Sequence, residues 1–203
     1  MRRNAAACMF PLLALVCGAA NAEGTQFEDE HLVVLRHEAG TARFVVPKFV
    51  TLVAGSMFEL HLRYPAGTPY QPSRIGRHSV RVLVLAAPSS RAKSRRLIAQ
   101  PYRLSGKQGP FNVYEATLPN ANGVQGGRAT TYATTDTQGR LLTVNDPGSW
   151  SKSFSVSRTL STGVELEYQF SKELGLEAFP SVDRMVLAAL ASMEAAANAR
   201  TIP

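Results

Sequence analysis

The run Met57–Tyr64 alternates without a break: Phe58, Leu60, Leu62 and Tyr64 fall on one side, Met57, Glu59, His61 and Arg63 on the other. Successive side chains of a β-strand point to opposite faces, so a period of two buries one set and solvates the other. Val164, Leu166, Tyr168 and Phe170 repeat the pattern near the end of the chain. One-sided strands must be assembled into a sheet with a layer over the apolar side, and the rest of the sequence supplies the pieces. His31–Leu35 and Ala42–Val46 are β-rich runs joined by Arg36–Thr41, a hairpin pattern. Ser79–Ala86 is apolar on both faces except at Arg81, as in a strand with neighbours on each side. Phe111–Leu118, Ala129–Thr134, Leu141–Asn145, Ser153–Leu160 and Gly163–Phe170 complete the strand candidates, several separated by Gly and Asn clusters.

A single helix is expected at the C-terminus. Ser181 is placed to cap it, Pro180 precedes it, and Asp183 lies in the predicted first turn, where a negative charge suits the helix dipole. Val182, Val186, Ala189, Leu190, Met193 and Ala197 then form one apolar stripe, the mark of a helix packed on a core. The predicted fold is α+β, mostly antiparallel β-sheet with one C-terminal α-helix packed on it. Phe58–Tyr64 and Val164–Phe170 match closely enough in pattern to raise a duplicated half-domain.

The first 22 residues read as a cleavable secretory signal: Arg2 and Arg3, an apolar stretch Ala5–Val16, and Ala20-Asn21-Ala22 as the small-x-small cleavage site. A spanning helix needs about 20 apolar residues, and this stretch is shorter and is broken by Pro11. Lipidation of Cys17 is disfavoured by Val16, which stands where a lipobox has Gly, Ala or Ser. Cleavage leaves residues 23–203 as one β-rich domain in the periplasm. It also removes Cys8 and Cys17, the only two cysteines, so the mature chain relies on packing and strand pairing without disulfides.

Charge is unevenly placed. Ten basic residues and no Asp or Glu lie between Leu60 and Tyr114, whereas the flanks are acidic. Either the two regions face each other in the fold, or the basic stretch forms a surface for an acidic protein, lipopolysaccharide or an anionic membrane. Export turns that surface away from nucleic acid. Arg74, Arg77, Arg91, Lys93, Arg95 and Arg96 are its candidate contact residues. Trp150, the only tryptophan, follows the turn sequence Asp146-Pro147-Gly148-Ser149 and reads either as core packing or as a binding anchor.

Catalytic constellations are not evident. The four histidines, His31, His37, His61 and His78, have no metal-ligand spacing, and no Gly-x-Ser-x-Gly elbow or phosphate loop is present. Ser90–Lys93 and Ser149–Lys152 match Ser-x-x-Lys but lack the helical context of an acyl-enzyme serine. No metal, cofactor or enzymatic activity is expected.

Phe44-Val45-Val46-Pro47-Lys48-Phe49-Val50, followed by Phe58–Pro65 and Pro69, resembles the opening of periplasmic immunity proteins paired with type VI secretion lipase effectors. The strand Gly163–Phe170, Leu174 or Leu176, Phe179 and Asp183 resemble their closing part. The resemblance implies a non-enzymatic protein that binds a toxic lipase-type effector and blocks it. The rival expectation is a periplasmic envelope-binding protein that contacts anionic lipid or lipopolysaccharide through the basic middle region.

Overall fold

The computed structural model describes residues 30–37, 40–53, 57–73, 76–86, 102–119 and 125–200. The proposed signal peptide, Arg74 and the basic segment from Arg91 to Arg96 lie outside the described residues. Among the described residues twelve strands precede one long helix: β1 (Glu30–His37), β2 (Gly40–Pro47), β3 (Thr51–Val53), β4 (Met57–Arg63), β5 (Thr68–Tyr70), β6 (Ser79–Leu85), β7 (Arg103–Gln108), β8 (Phe111–Pro119), β9 (Gln125–Thr135), β10 (Leu141–Asp146), β11 (Ser153–Thr159), β12 (Glu165–Ser171) and α1 (Phe179–Ala199).

Strands β1 and β2 form a separate antiparallel hairpin, in register from Glu30↔Pro47 to His37↔Gly40. The other ten build one sheet, all pairs antiparallel, in the order β3-β4-β6-β12-β11-β10-β9-β8-β7. Strand β5 continues along the β4 edge that β3 occupies, β3 against Met57–Glu59 and β5 against His61–Arg63. The antiparallel sheet with one packed C-terminal helix is the architecture the alternating runs predict.

Register explains the core. Phe58, Val84 and Leu166 lie in one row across β4, β6 and β12, and Leu60, Val82, Tyr168 and Val156 in the next. These residues and Leu62, Val80, Phe170, Phe154 and Val144 make one buried apolar face. Hairpin and helix cover it side by side. The hairpin contributes Leu35, Phe44 and Val46, and α1 contributes Val182, Val186, Leu190 and Met193. Phe44 and Phe58 meet at 5.3 Å between ring centroids, joining hairpin to sheet. Each such buried side chain contributes about 1.5–3 kcal/mol relative to exposure. The two similar runs, Phe58–Tyr64 and Val164–Phe170, flank β6 on either side and run parallel to each other.

Three features differ from the sequence expectations. Strands β3, β5 and β7 carry no alternating apolar pattern: β7 is exposed along its whole length, so nothing selects apolar residues there. The helix starts at Phe179, two residues before the predicted cap, with Ala178 at the cap position and no side chain capping it. Pro180 fits the first turn because its fixed φ is helical and its missing N–H would have no partner there. Ser181 instead donates to the Ala178 carbonyl at 2.8 Å and meets the Tyr64 hydroxyl at 2.9 Å. Asp183 therefore lies beyond the first turn and is used in a part-buried polar cluster. It accepts from Tyr168 Oη at 2.8 Å and from Arg158 Nη1 at 2.6 Å. Arg158 also reaches Asp136 at 3.5 Å, which is held by Arg140 at 2.7 Å. This cluster fastens α1 to β11, β12 and the β9–β10 turn. No helix of the described residues is long and apolar enough to cross a membrane.

Candidate binding surface

With one sheet face given to the core, binding groups must come from the outer face, the strand ends or the covering layer. Trp150 lies at a strand end. Asp146 at the end of β10 accepts from Gly148 N at 2.8 Å, and Gly148 turns the chain at φ +67°. A β-carbon there would overlap the Arg128 carbonyl, so the turn packs directly on β9. Lys172 bonds to the Gly148 carbonyl and pairs with Asp146, bracing the same turn from the end of β12. The short 3-10 turn Gly148–Trp150 then lays the indole on Gly127, where any β-carbon would overlap Nε1 and Cδ1. Trp150 remains 53% exposed, so it is a surface residue and the core reading of it is corrected. Rigid, half-exposed tryptophans on a fixed base have the character of interface anchors.

Of the basic candidates, Arg77 is described. It is exposed in the turn that enters β6. Register puts the start of β6, the end of β12 and the start of β11 at one end of the sheet, so Arg77 and Trp150 share that end. Arg103 and Lys107 are exposed on β7. Among the described residues none of these three cations has an ion-pair partner, while Arg81 is taken by Glu59 from the adjacent strand. Part of the basic stretch does lie beside an acidic end of the chain, since β6 with Arg81 pairs directly with β12, which carries Glu165 and Glu167.

On the outer face, Arg81 donates from Nε and Nη2 to the two carboxylate oxygens of Glu59, at 2.8 and 2.7 Å. His61 Nε2 stands 3.5 Å from Glu59, and His61 Nδ1 is 3.4 Å from Ser79 Oγ. Hydrogen bonds from Arg81 hold the Glu59 carboxyl below its ordinary value. Burial lowers that of His61, opposed by the attraction of Glu59. The group borders a small cavity of about 140 Å³ next to Tyr70 and Pro72. It has the residue types of a hydrolytic triad, but Ser79 is buried and the guanidinium occupies both oxygens of Glu59. His78 stacks on Tyr64 instead, at 6.5 Å. Among the described residues no three His, Cys, Asp or Glu side chains are arranged to hold a metal ion.

A wider concavity lies beside the helix, among residues that carry no signal in the sequence. A groove of about 810 Å³ runs between β2, the Pro65–Pro69 turn and α1. Val45, Pro65, Pro69, Met185, Ala189 and Met193 line it. Ala and Pro next to Met look like ordinary helix and turn residues until three distant segments are brought together.

No protein-family profile matches the chain, and no curated protein matches its sequence. Among solved structures, the fold is similar to an immunity protein of the Stenotrophomonas maltophilia type IV secretion system. The TM-score is 0.51 at 10% sequence identity, covering 80% of this chain and 92% of that one. At this identity the likeness is one of fold, and it takes in nearly the whole of the other protein.

Proposed function

We propose that this chain is an exported binding protein that acts in the periplasm as an immunity protein, neutralising a secreted toxic effector by direct association. The observation that carries the reading is the fold shared with an immunity protein over 92% of that protein's length. A half-exposed Trp150 on a braced turn supports it, as does a groove large enough for several side chains. The cleavage pattern at Ala20–Ala22 supports the compartment and a mature single domain from Glu23. The delivery system differs between the two lines of support. The sequence resemblance points to type VI lipase effectors, and the structural neighbour is an immunity protein of a type IV system.

Co-expression tests this. The full chain is produced with the products of neighbouring open reading frames directed to the periplasm, and survival is scored beside co-purification. Protection with a stoichiometric complex is expected. Protection without a complex refutes inhibition by binding, and toxicity unaffected by the chain refutes the immunity role.

The exposed cations Arg77, Arg103 and Lys107 favour a second reading, contact with anionic lipid or lipopolysaccharide. That reading requires vesicle binding that weakens steeply with salt and is lost when Arg91, Lys93, Arg95 and Arg96 become Ser.

A further inference from the structure

We infer that the groove beside α1 is a docking site for a protein segment carrying apolar side chains followed by carboxylates. This rests on the binding-protein reading and names the surface and the chemistry of its partner.

The groove is one end of a longer apolar surface. On β1 Leu32 and Val34 lie on the hairpin face away from the sheet, and their side of β2 carries Val45, which is itself covered at 4% exposure. Val45 lines the groove, and Leu32 is its cross-strand partner. Leu32 is 50% and Val34 36% exposed, which extends the apolar surface out of the groove and across the hairpin. Exposed apolar side chains next to an apolar groove mark an interaction site. On the helix side Ala188, Ser192 and Ala196 line the groove with small, exposed side chains that let a partner's backbone come close. From Met185 to Ala196 the groove follows the helix for about 16 Å, at about 1.5 Å per residue.

Charge gives the partner its polarity. Val34 pairs across the hairpin with Arg43, and Thr41 with Arg36, so the apolar surface ends at two arginines. Both are exposed, and neither has an ion-pair partner among the described residues. The carboxylate at the other end, Glu30, is paired with Arg200. An apolar groove continued by exposed apolar side chains to two unpaired cations selects apolar residues followed by Asp or Glu. A membrane surface fits less well. A bilayer cannot fill a concave trough, and two arginines fall short of the roughly four to eight cations of a lipid-binding cluster.

The test uses residues 23–203 and a displayed library of random peptides of roughly twelve residues, long enough to span the trough. Three variants accompany the parent: Ala188→Glu with Ser192→Glu in the groove, Ala195→Glu on the exposed side of the same helix, and Arg36→Glu with Arg43→Glu. All five positions are exposed, and an unchanged melting temperature verifies folding. The parent should enrich apolar peptides that carry Asp or Glu. Fluorescence anisotropy of the best peptide should show at least about a tenfold loss in the groove variant, as for a hot-spot contact, and none in Ala195→Glu. The arginine-reversed protein should enrich Lys- and Arg-bearing peptides instead. Failure to enrich any peptide, peptides without carboxylates, or undiminished binding to the groove variant overturns the proposal. So does groove-dependent binding to phosphatidylglycerol vesicles, which assigns the surface to lipid, or groove-dependent dimerisation, which assigns it to a second copy. If protection and complex formation survive in the groove variant, the docking site is wrong and the immunity reading stands. If peptides select as expected but no co-expressed effector is neutralised, the reverse holds.

Discussion

Replacing Asp183 with Ala tests whether the helix is fastened to the sheet by its polar cluster or by apolar contact alone. Asp183 and Arg158 are 14% and 10% exposed, so their ion pair is largely out of water. Deleting the carboxylate strands two groups at once. The Tyr168 hydroxyl, on a residue 1% exposed, loses its acceptor, which costs about 1–3 kcal/mol for a buried polar group. Arg158 is left with Asp136 at 3.5 Å, and its Nε already has no partner. Breaking a buried pair by removing one member costs about 3–5 kcal/mol. The two costs overlap because one carboxylate serves both groups, and Asp136 still offsets part of the stranded charge. A net loss of about 3–4 kcal/mol follows. For a domain of this size that lowers Tm by about 10 °C, at roughly 2–4 °C per kcal/mol.

Asp183→Asn keeps an acceptor for Tyr168 and should cost about half as much. Tyr168→Phe alone should cost about 1 kcal/mol, and combining it with Asp183→Ala should cost about 1 kcal/mol less than the sum, because the stranded hydroxyl is gone. Urea and thermal denaturation followed by circular dichroism at pH 7 supply the numbers. Asp183→Ala within about 1 kcal/mol of the parent, or strict additivity in the double variant, would refute the reasoning.

Gly127→Ala should displace the indole of Trp150, because the added methyl overlaps Nε1. Trp150 is the only tryptophan, so a red-shifted emission with stronger acrylamide quenching and an unchanged far-ultraviolet spectrum reads this directly. Burial, and then the nearby Asp183 charge, raise the Tyr168 hydroxyl well above its ordinary 10.0. A raised folded value means that the contribution is full below the unfolded value and lost as pH rises toward the folded one. Tyr168→Phe should therefore flatten the decline in stability above about pH 10, and an unchanged alkaline limb would contradict this. His61 is lowered from 6.5 by burial, so its contribution is present above that value and lost as pH falls toward the folded one. His61→Gln should reduce the loss of stability on going below about pH 6.5, measured by urea titration across that range.

The fold was legible where burial imposes a period. In β4 and β12 one face meets the core and alternation identified both strands with their inward residues, whereas β6 was found as a run apolar on both faces except at Arg81. Strand β7 was invisible for the same reason, since no face of Arg103–Gln108 is buried. The helix was legible from its stripe, but its start was not. Ser181 looks like a cap in sequence, yet its hydroxyl is engaged by Ala178 and Tyr64, the latter more than a hundred residues away.

Binding groups follow the same division. Trp150 could be singled out because tryptophan is rare here, but its exposure depends on Gly127, which a linear reading separates from it. The groove needs Val45 from a hairpin, Pro65 and Pro69 from a turn, and Met185 to Ala196 from the last helix. None of those residues is unusual at its own position. Proline ends a strand, alanine suits a helix, and a valine on β2 breaks no pattern. What makes them a surface is that the hairpin and α1 lie side by side over the same sheet, leaving a seam that neither closes. The sheet's core face demands two covering elements, and the seam between them is where a partner segment can be held without disturbing the core.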